Sequence, residues 1–206
     1  MSPGKACFIC ETDHQPQHLD LAIDTVCLSC VLSVPLDLSK PYNFLAHMGM
    51  HILKSSVSPA TEPCGLCLVP SPLCQFYLTK GKGAQGQMKI DYSSSRGCSN
   101  LGVTFKYSVA AASTKTAPCS NVPLRCPLCP SNHPAIWKYM ARHHFLNWHP
   151  AADLNQWKYL WQISSAEKAA MDKMWDERRK VLMPWGKNKC KKDDLGALII
   201  SEAHSS

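Results

Sequence analysis

Four Cys-x-x-Cys pairs punctuate this chain, at Cys7/Cys10, Cys27/Cys30, Cys64/Cys67 and Cys126/Cys129. Two intervening residues make too tight a loop for an ordinary structural disulfide. They do aim two thiolates at one point, which suits two ligands of a single ion. The N-terminus lacks a basic region followed by an apolar stretch, so a secretory signal is not expected. No apolar run approaches the roughly 18 residues of a membrane span; the longest late one is Leu195 to Ile200. The chain is therefore read as soluble and intracellular, where disulfides are rare, and its 12 Cys in 206 residues point to metal.

The strongest pattern is Cys126-x2-Cys129-x13-His143-x5-His149, or, with the next residue, Cys126-x2-Cys129-x14-His144-x4-His149. Either lies close to the C2H2 arrangement of two Cys on a hairpin and two His on a helix, which together make a tetrahedron for zinc. His144 with His149 is favoured, with His143 a close competitor. A second pattern is Cys27-x2-Cys30-x16-His47-x3-His51. His47 and His51 are four apart on an expected helix and share a face. A competing set joins Cys7, Cys10, Cys27 and Cys30 as four thiolates, and Cys7 and Cys10 can also be completed by His14 and His18. A third group has five Cys for four places: Cys64, Cys67, Cys74, Cys98 and Cys119. Cys64, Cys67, Cys98 and Cys119 are the expected ligands, because Cys98 and Cys119 flank a predicted strand, with Cys74 as the alternative. Cys190 is expected to be free. The sequence thus predicts two to three structural Zn2+ ions.

The expected fold class is α+β: small zinc-stabilised modules in series, finger-like ββα units and a small antiparallel sheet, then a C-terminal helix and a disordered basic tail. Residues 1–55 form an N-terminal module. Its helix runs from Tyr42 to Lys54, with Ser39 as N-cap, Pro41 early in the helix and Phe44, Leu45, Met48 and Ile52 apolar. Residues 56–63 read as a linker. Residues 64–119 alternate like strands at Gln75–Lys80, Met88–Tyr92 and Val103–Ala110, with a Gly-rich hairpin loop at 81–86. Residues 120–150 form the finger, with a helix from about Pro134 to Trp148 over a small core of Trp137, Tyr139 or Met140, and Phe145. Residues 151–185 are helical. Trp157, Tyr159, Leu160 and Trp161 sit in a short helix or turn, and the capping-box pattern Ser164-x-x-Glu167 opens a helix to about Leu182. Its expected apolar stripe is Met171, Met174, Trp175 and Val181. Residues 186–206 are the tail.

Net charge is +7, unevenly placed: residues 1–63 carry −3 and residues 64–125 carry +6, from seven basic residues and one acid. A basic middle and tail suit a polyanion. Candidate nucleic-acid contacts are Lys138 and Arg142 on the finger helix and Arg178, Arg179 and Lys180 further on. Lys187, Lys189, Lys191 and Lys192 could act in nuclear import. Base-reading fingers use helix positions −1, 3 and 6, whereas Ile136, Trp137 and Met140 make this helix apolar enough to suit a protein partner. An enzyme is not expected. Pro63-Cys64-Gly-Leu-Cys67 matches half of a zinc deaminase signature, but no His is followed two residues later by Glu. No phosphate-binding glycine loop, G-x-S-x-G or H-E-x-x-H occurs.

Several motifs occur in a particular order: His47-Met-Gly-Met-His51-Ile-Leu, Pro63-Cys-Gly-Leu-Cys67, Pro118-Cys-Ser-Asn-Val-Pro-Leu-Arg-Cys-Pro-Leu-Cys129, Trp137-Lys-Tyr and His149-Pro. This order resembles a family of zinc-finger-like proteins of basidiomycete fungi, expanded in number. The resemblance spans about residues 27–150 and, more loosely, the Ser-Ser-Ala-Glu-Lys stretch after them. It implies C2H2-type zinc binding and a nuclear, DNA-associated role, regulatory or derived from a mobile element, with no established activity to carry over. The first finger of that family usually has a shorter Cys-to-His loop than the 16 residues here. A full transposase would need an acidic triad on an RNase-H-like fold, for which this chain is too short and too poor in Asp and Glu between residues 64 and 163. The sequence reading is therefore a nuclear duplex-DNA-binding protein without a membrane role. The alternative is a zinc-stabilised protein-interaction module, with the 134–148 helix face as the contact.

Overall fold

The computed structural model describes residues 25–182, apart from 28, 31–33, 55–56 and 84–85. Cys7, Cys10, His14, His18, Cys190 and the basic tail lie outside the described residues. Short antiparallel ribbons alternate with helices, an α+β arrangement. β1 (Thr25–Cys27) pairs with β2 (Val34–Leu36), and α1 (Pro41–Leu53) follows. β3 (Gln75–Lys80) and β4 (Met88–Arg96) form the longest ribbon. After α2 (Tyr107–Ala111), β5 (Pro123–Leu124) pairs with β6 (Ile136–Trp137). The last helices among the described residues are α3 (Ala141–Trp148), α4 (Leu154–Trp157) and α5 (Ser165–Leu182). No helix among the described residues is long and apolar enough to cross a membrane.

Three local expectations are corrected. Ser39 does not cap α1. Its amide and hydroxyl both donate to the Asp37 carboxylate, at 2.9 and 2.5 Å, so Lys40 occupies the cap position and Pro41 starts the helix with its preset φ. Residues Val103–Ala110 are not a strand. Their alternation buries Val103, but the alanine-rich end winds into α2 against β4. The finger helix begins at Ala141 rather than near Pro134. Ile136 and Trp137 are the return strand of a hairpin, in register with Leu124 and Pro123, and a single 3-10 turn at Lys138–Met140 leads into α3.

One apolar core gathers side chains from all three Cys/His segments: Phe44, Leu45 and Met48 of α1, Leu66, Phe76 and Ile90 around the ribbon, Trp137, Tyr139 and Met140, and Met171 of α5. Each fully buried aromatic or long aliphatic here contributes roughly 1.5–3 kcal/mol. Every residue of α1 from Phe44 to Ile52 is buried, as in a helix wrapped on all sides. Gly49 is part of that packing: a methyl group there would lie 2.7 Å from the Cys119 sulfur and 3.1 Å from the Tyr139 ring. A smaller core lies under α3, where Phe145, Ile136 and Ala141 meet Trp157, Leu160 and Trp161.

A buried carboxylate joins these layers. Ser164 caps α5 by accepting from the Glu167 amide at 3.0 Å. The Glu167 side chain does not complete the capping box. It accepts instead from the Ser120 amide (2.7 Å), the Ser120 hydroxyl (2.6 Å) and the Tyr139 hydroxyl (2.6 Å), and is 3% exposed. Hydrogen bonds to a buried charge each contribute about 1.5–3 kcal/mol. Glu167→Ala should therefore lower unfolding free energy by about 3 kcal/mol with metal content unchanged, measured by denaturant titration; an unaltered midpoint would refute the role assigned to this carboxylate.

Candidate metal centres

Three groups of four ligands are assembled, and within each group the ligand atoms lie within 4.8 Å of one another. The first is Cys27, Cys30, His47 and His51. The ribbon β1–β2 carries Cys27 at its turn, and α1 presents both His on one face. Cys30 Sγ lies 3.5 Å from His47 Nε2 and 3.2 Å from His51 Nε2, and Cys27 Sγ lies 3.4 Å from His51 Nε2. The third group is Cys126, Cys129, His144 and His149, with sulfur–nitrogen separations of 3.2 to 3.3 Å. His144, not His143, is the histidine that α3 brings to this group. His149 follows α3 as its C-cap, with its amide still bonded to the Phe145 carbonyl at 2.9 Å.

The second group corrects the sequence reading. Cys64, Cys67 and Cys98 are joined by Cys74, and Cys119 is not part of the group. The Cys67 and Cys74 sulfurs are 3.3 Å apart and those of Cys64 and Cys98 3.8 Å. Cys74 directly precedes β3, and Cys98 follows β4 by two residues. Gly97 makes that turn possible: its φ is +81°, and a side chain there would strike the Leu73 carbonyl. Cys119 is wholly buried in the shared core. Burial holds its thiol up at about 12, so it stays a neutral donor, bonded to the Leu45 carbonyl, with the Tyr139 oxygen 3.4 Å from its sulfur.

The ligand spacing matches a small four-coordinate ion. Metal–sulfur bonds of about 2.3 Å and metal–nitrogen bonds of about 2.0 Å give tetrahedral edges of about 3.8 Å between sulfurs and about 3.5 Å between sulfur and nitrogen. Burial, with the Arg178 charge beside it, pushes His47 down to about 3 and His51 down to about 4, which keeps both rings neutral and able to ligate. Burial also pushes the Cys27 thiol up to about 11, so a dication is what would hold it as thiolate.

Two outer residues, one not singled out in the sequence and one expected elsewhere, complete the picture. Glu62, in the expected linker, sits in the left-handed region at φ 46°. Its carboxylate accepts from the Trp148 indole (2.9 Å) and faces His144 Nδ1 at 3.2 Å, leaving Nε2 for the metal. A carboxylate behind a ligating imidazole fixes its orientation and raises its basicity. Arg178 of α5, expected on nucleic acid, is turned onto the first group. Its guanidinium donates to Cys30 Sγ and lies 3.3 Å from His47 Nδ1, with Trp175 edge-on to His51 at 5.7 Å. Lys138 is also engaged internally, donating to the Ser120 hydroxyl at 2.7 Å. Arg142 is exposed on α3, and the side chains of Arg179 and Lys180 lie outside the described residues.

No protein-family model, curated protein or solved structure matches this chain.

Cys74→Ser should remove one equivalent of bound metal from the purified protein, whereas Cys119→Ser should retain the full complement, measured by elemental analysis; the reverse pattern would restore Cys119 as the ligand. Glu62→Ala should weaken the third centre about 10- to 100-fold and leave the other two unchanged, read by chelator competition.

Proposed function

We propose that the three centres hold structural Zn2+ and that the folded chain is a nuclear duplex-DNA-binding protein rather than an enzyme. Each centre offers four protein ligands, a closed set that leaves no open position for substrate or water. DNA binding rests on one observation above others. Residues 64–125 carry seven Lys and Arg against one acid, and among the described residues none of those cations forms an ion pair. Four thiolates and one Zn2+ at the second centre contribute about −2, which leaves this segment at about +4. Such an excess suits a phosphate backbone, where each neutralised phosphate releases a counterion.

The alternative of a protein-interaction module is favoured by a different surface. Trp148 at the end of α3 is 68% exposed, beside a cavity of about 370 Å³ that it lines with Glu62, Pro72, His133 and Met140. Salt separates the two readings. With zinc-loaded protein and a 20-base-pair duplex, the DNA reading predicts an association constant that falls linearly on a log–log plot against salt, with a slope of several units. Absence of binding at low salt would discard it in favour of a partner on the α3 surface.

A further inference from the structure

We infer that the β3–β4 ribbon is the element that enters the DNA, an assignment that rests on the DNA-binding reading above. The second centre clamps this ribbon at its open end: Cys74 is adjacent to Gln75, and Cys98 follows Arg96 after the single residue Gly97. The far end is basic. Lys80 closes β3 opposite Met88, Lys89 stands opposite Thr79, and Lys82 follows in the loop; all three are exposed. The Gly81 amide bonds the Gln87 carbonyl at 2.9 Å, so pairing continues past Lys80 and holds the tip together.

The ribbon has two faces. Phe76, Leu78 and Ile90 point into the core, while Tyr77, Thr79, Lys89 and Asp91 share the outer face. Asp91, the sole acid of residues 64–125, lies two positions behind Lys89. Its carboxylate accepts from the Ser93 hydroxyl (2.6 Å) and from the Ser94 amide (3.2 Å) and hydroxyl (2.7 Å). Nearer the base, Ser95 fills the irregularity between Gln75 and Tyr77, accepting from the Tyr77 amide at 3.0 Å and donating to the Asp91 carbonyl at 2.6 Å. The root of the ribbon is thus fixed by ligands and hydrogen bonds, and its distal cations have no carboxylate partner among the described residues.

The major groove of B-form DNA, about 12 Å wide, admits a two-stranded ribbon, whereas the deep, narrow major groove of duplex RNA does not. Duplex DNA is the partner this shape and charge fit. Of the other expected contacts, Lys138 and Arg178 are less free to serve, because they are engaged with Ser120 and with the first centre, while Arg142 stands exposed on α3.

The test is fluorescence anisotropy of a labelled 20-base-pair duplex with the full zinc-loaded chain across a salt series. It compares the native protein, K80Q/K82Q/K89Q, and K106Q/K115Q/K158Q as a control of equal charge change at exposed lysines away from the ribbon tip. Each phosphate contact adds about 0.9 to the slope, so the ribbon variant should lose two to three units, with zinc content and thermal midpoint retained, while the control loses less. A ribbon variant indistinguishable from native protein that does bind would overturn the ribbon assignment alone and leave DNA binding standing. Equal losses in both variants would assign the effect to net charge and overturn it likewise. Equal competition by duplex RNA would overturn the groove assignment. Native protein that binds no duplex would remove the DNA reading and this inference with it.

Discussion

Four-ligand closure is the constraint on which the rest of this structure depends. The ribbons at the first and third centres are two or three residues long, too short to persist alone in water. What holds them is the convergence of a Cys-x-x-Cys turn with a second pair of ligands from a distant element. In the first centre the second pair comes from α1, in the third from α3 and the residue after it, and in the second from the two ends of one ribbon. Structural zinc contributes about 10–16 kcal/mol in small modules near neutral pH. That exceeds what segments of this size gain from their own apolar burial.

Closure of the centres does not leave them independent. Phe44, Phe76, Trp137 and Met171 come from four separate stretches of chain and lie in one core. The outer residues of the centres cross between stretches too. Glu62 lies just before the second centre and supports a ligand of the third, and Arg178 and Trp175 of α5 cover the first. Glu167 then ties α5 to Ser120 and Tyr139. The helix α5 is thus a brace across the molecule rather than an appendage, because its buried side holds a carboxylate, an aromatic ring and a guanidinium that each have a partner elsewhere.

Much of the ligand chemistry was legible in spacing alone. Cys-x-x-Cys turns and His residues four or five apart constrain geometry locally, so the two centres built on helices could be read from residue order. The second centre was harder. Cys74 and Cys119 are both plausible by position, and the choice depends on where a ribbon returns and which thiol the core engulfs. The available signal was the place of Cys74, directly before the first strand of the hairpin whose far end leads to Cys98. The roles of Glu62, Arg178 and Glu167 are tertiary: nothing local distinguishes Glu167 in a capping box from Glu167 facing Ser120. The late start of α3 has the same origin. Residues from Pro134 onward are compatible with a helix by apolar content, but pairing with Pro123 and Leu124 makes Ile136 and Trp137 a strand.

The fold depends on the identity of the ligands, and X-ray absorption at the zinc edge of the loaded full chain reads them directly. Two centres of paired cysteines and histidines and one all-cysteine centre give eight sulfurs and four nitrogens over three ions, an average of two sulfurs for each nitrogen. That ratio, with metal–sulfur distances near about 2.3 Å and metal–nitrogen distances near about 2.0 Å, is the predicted result. A ratio near five to one would mean that thiolates replace His47 and His51 at the first centre, and would contradict the structure at the element where α1 is anchored.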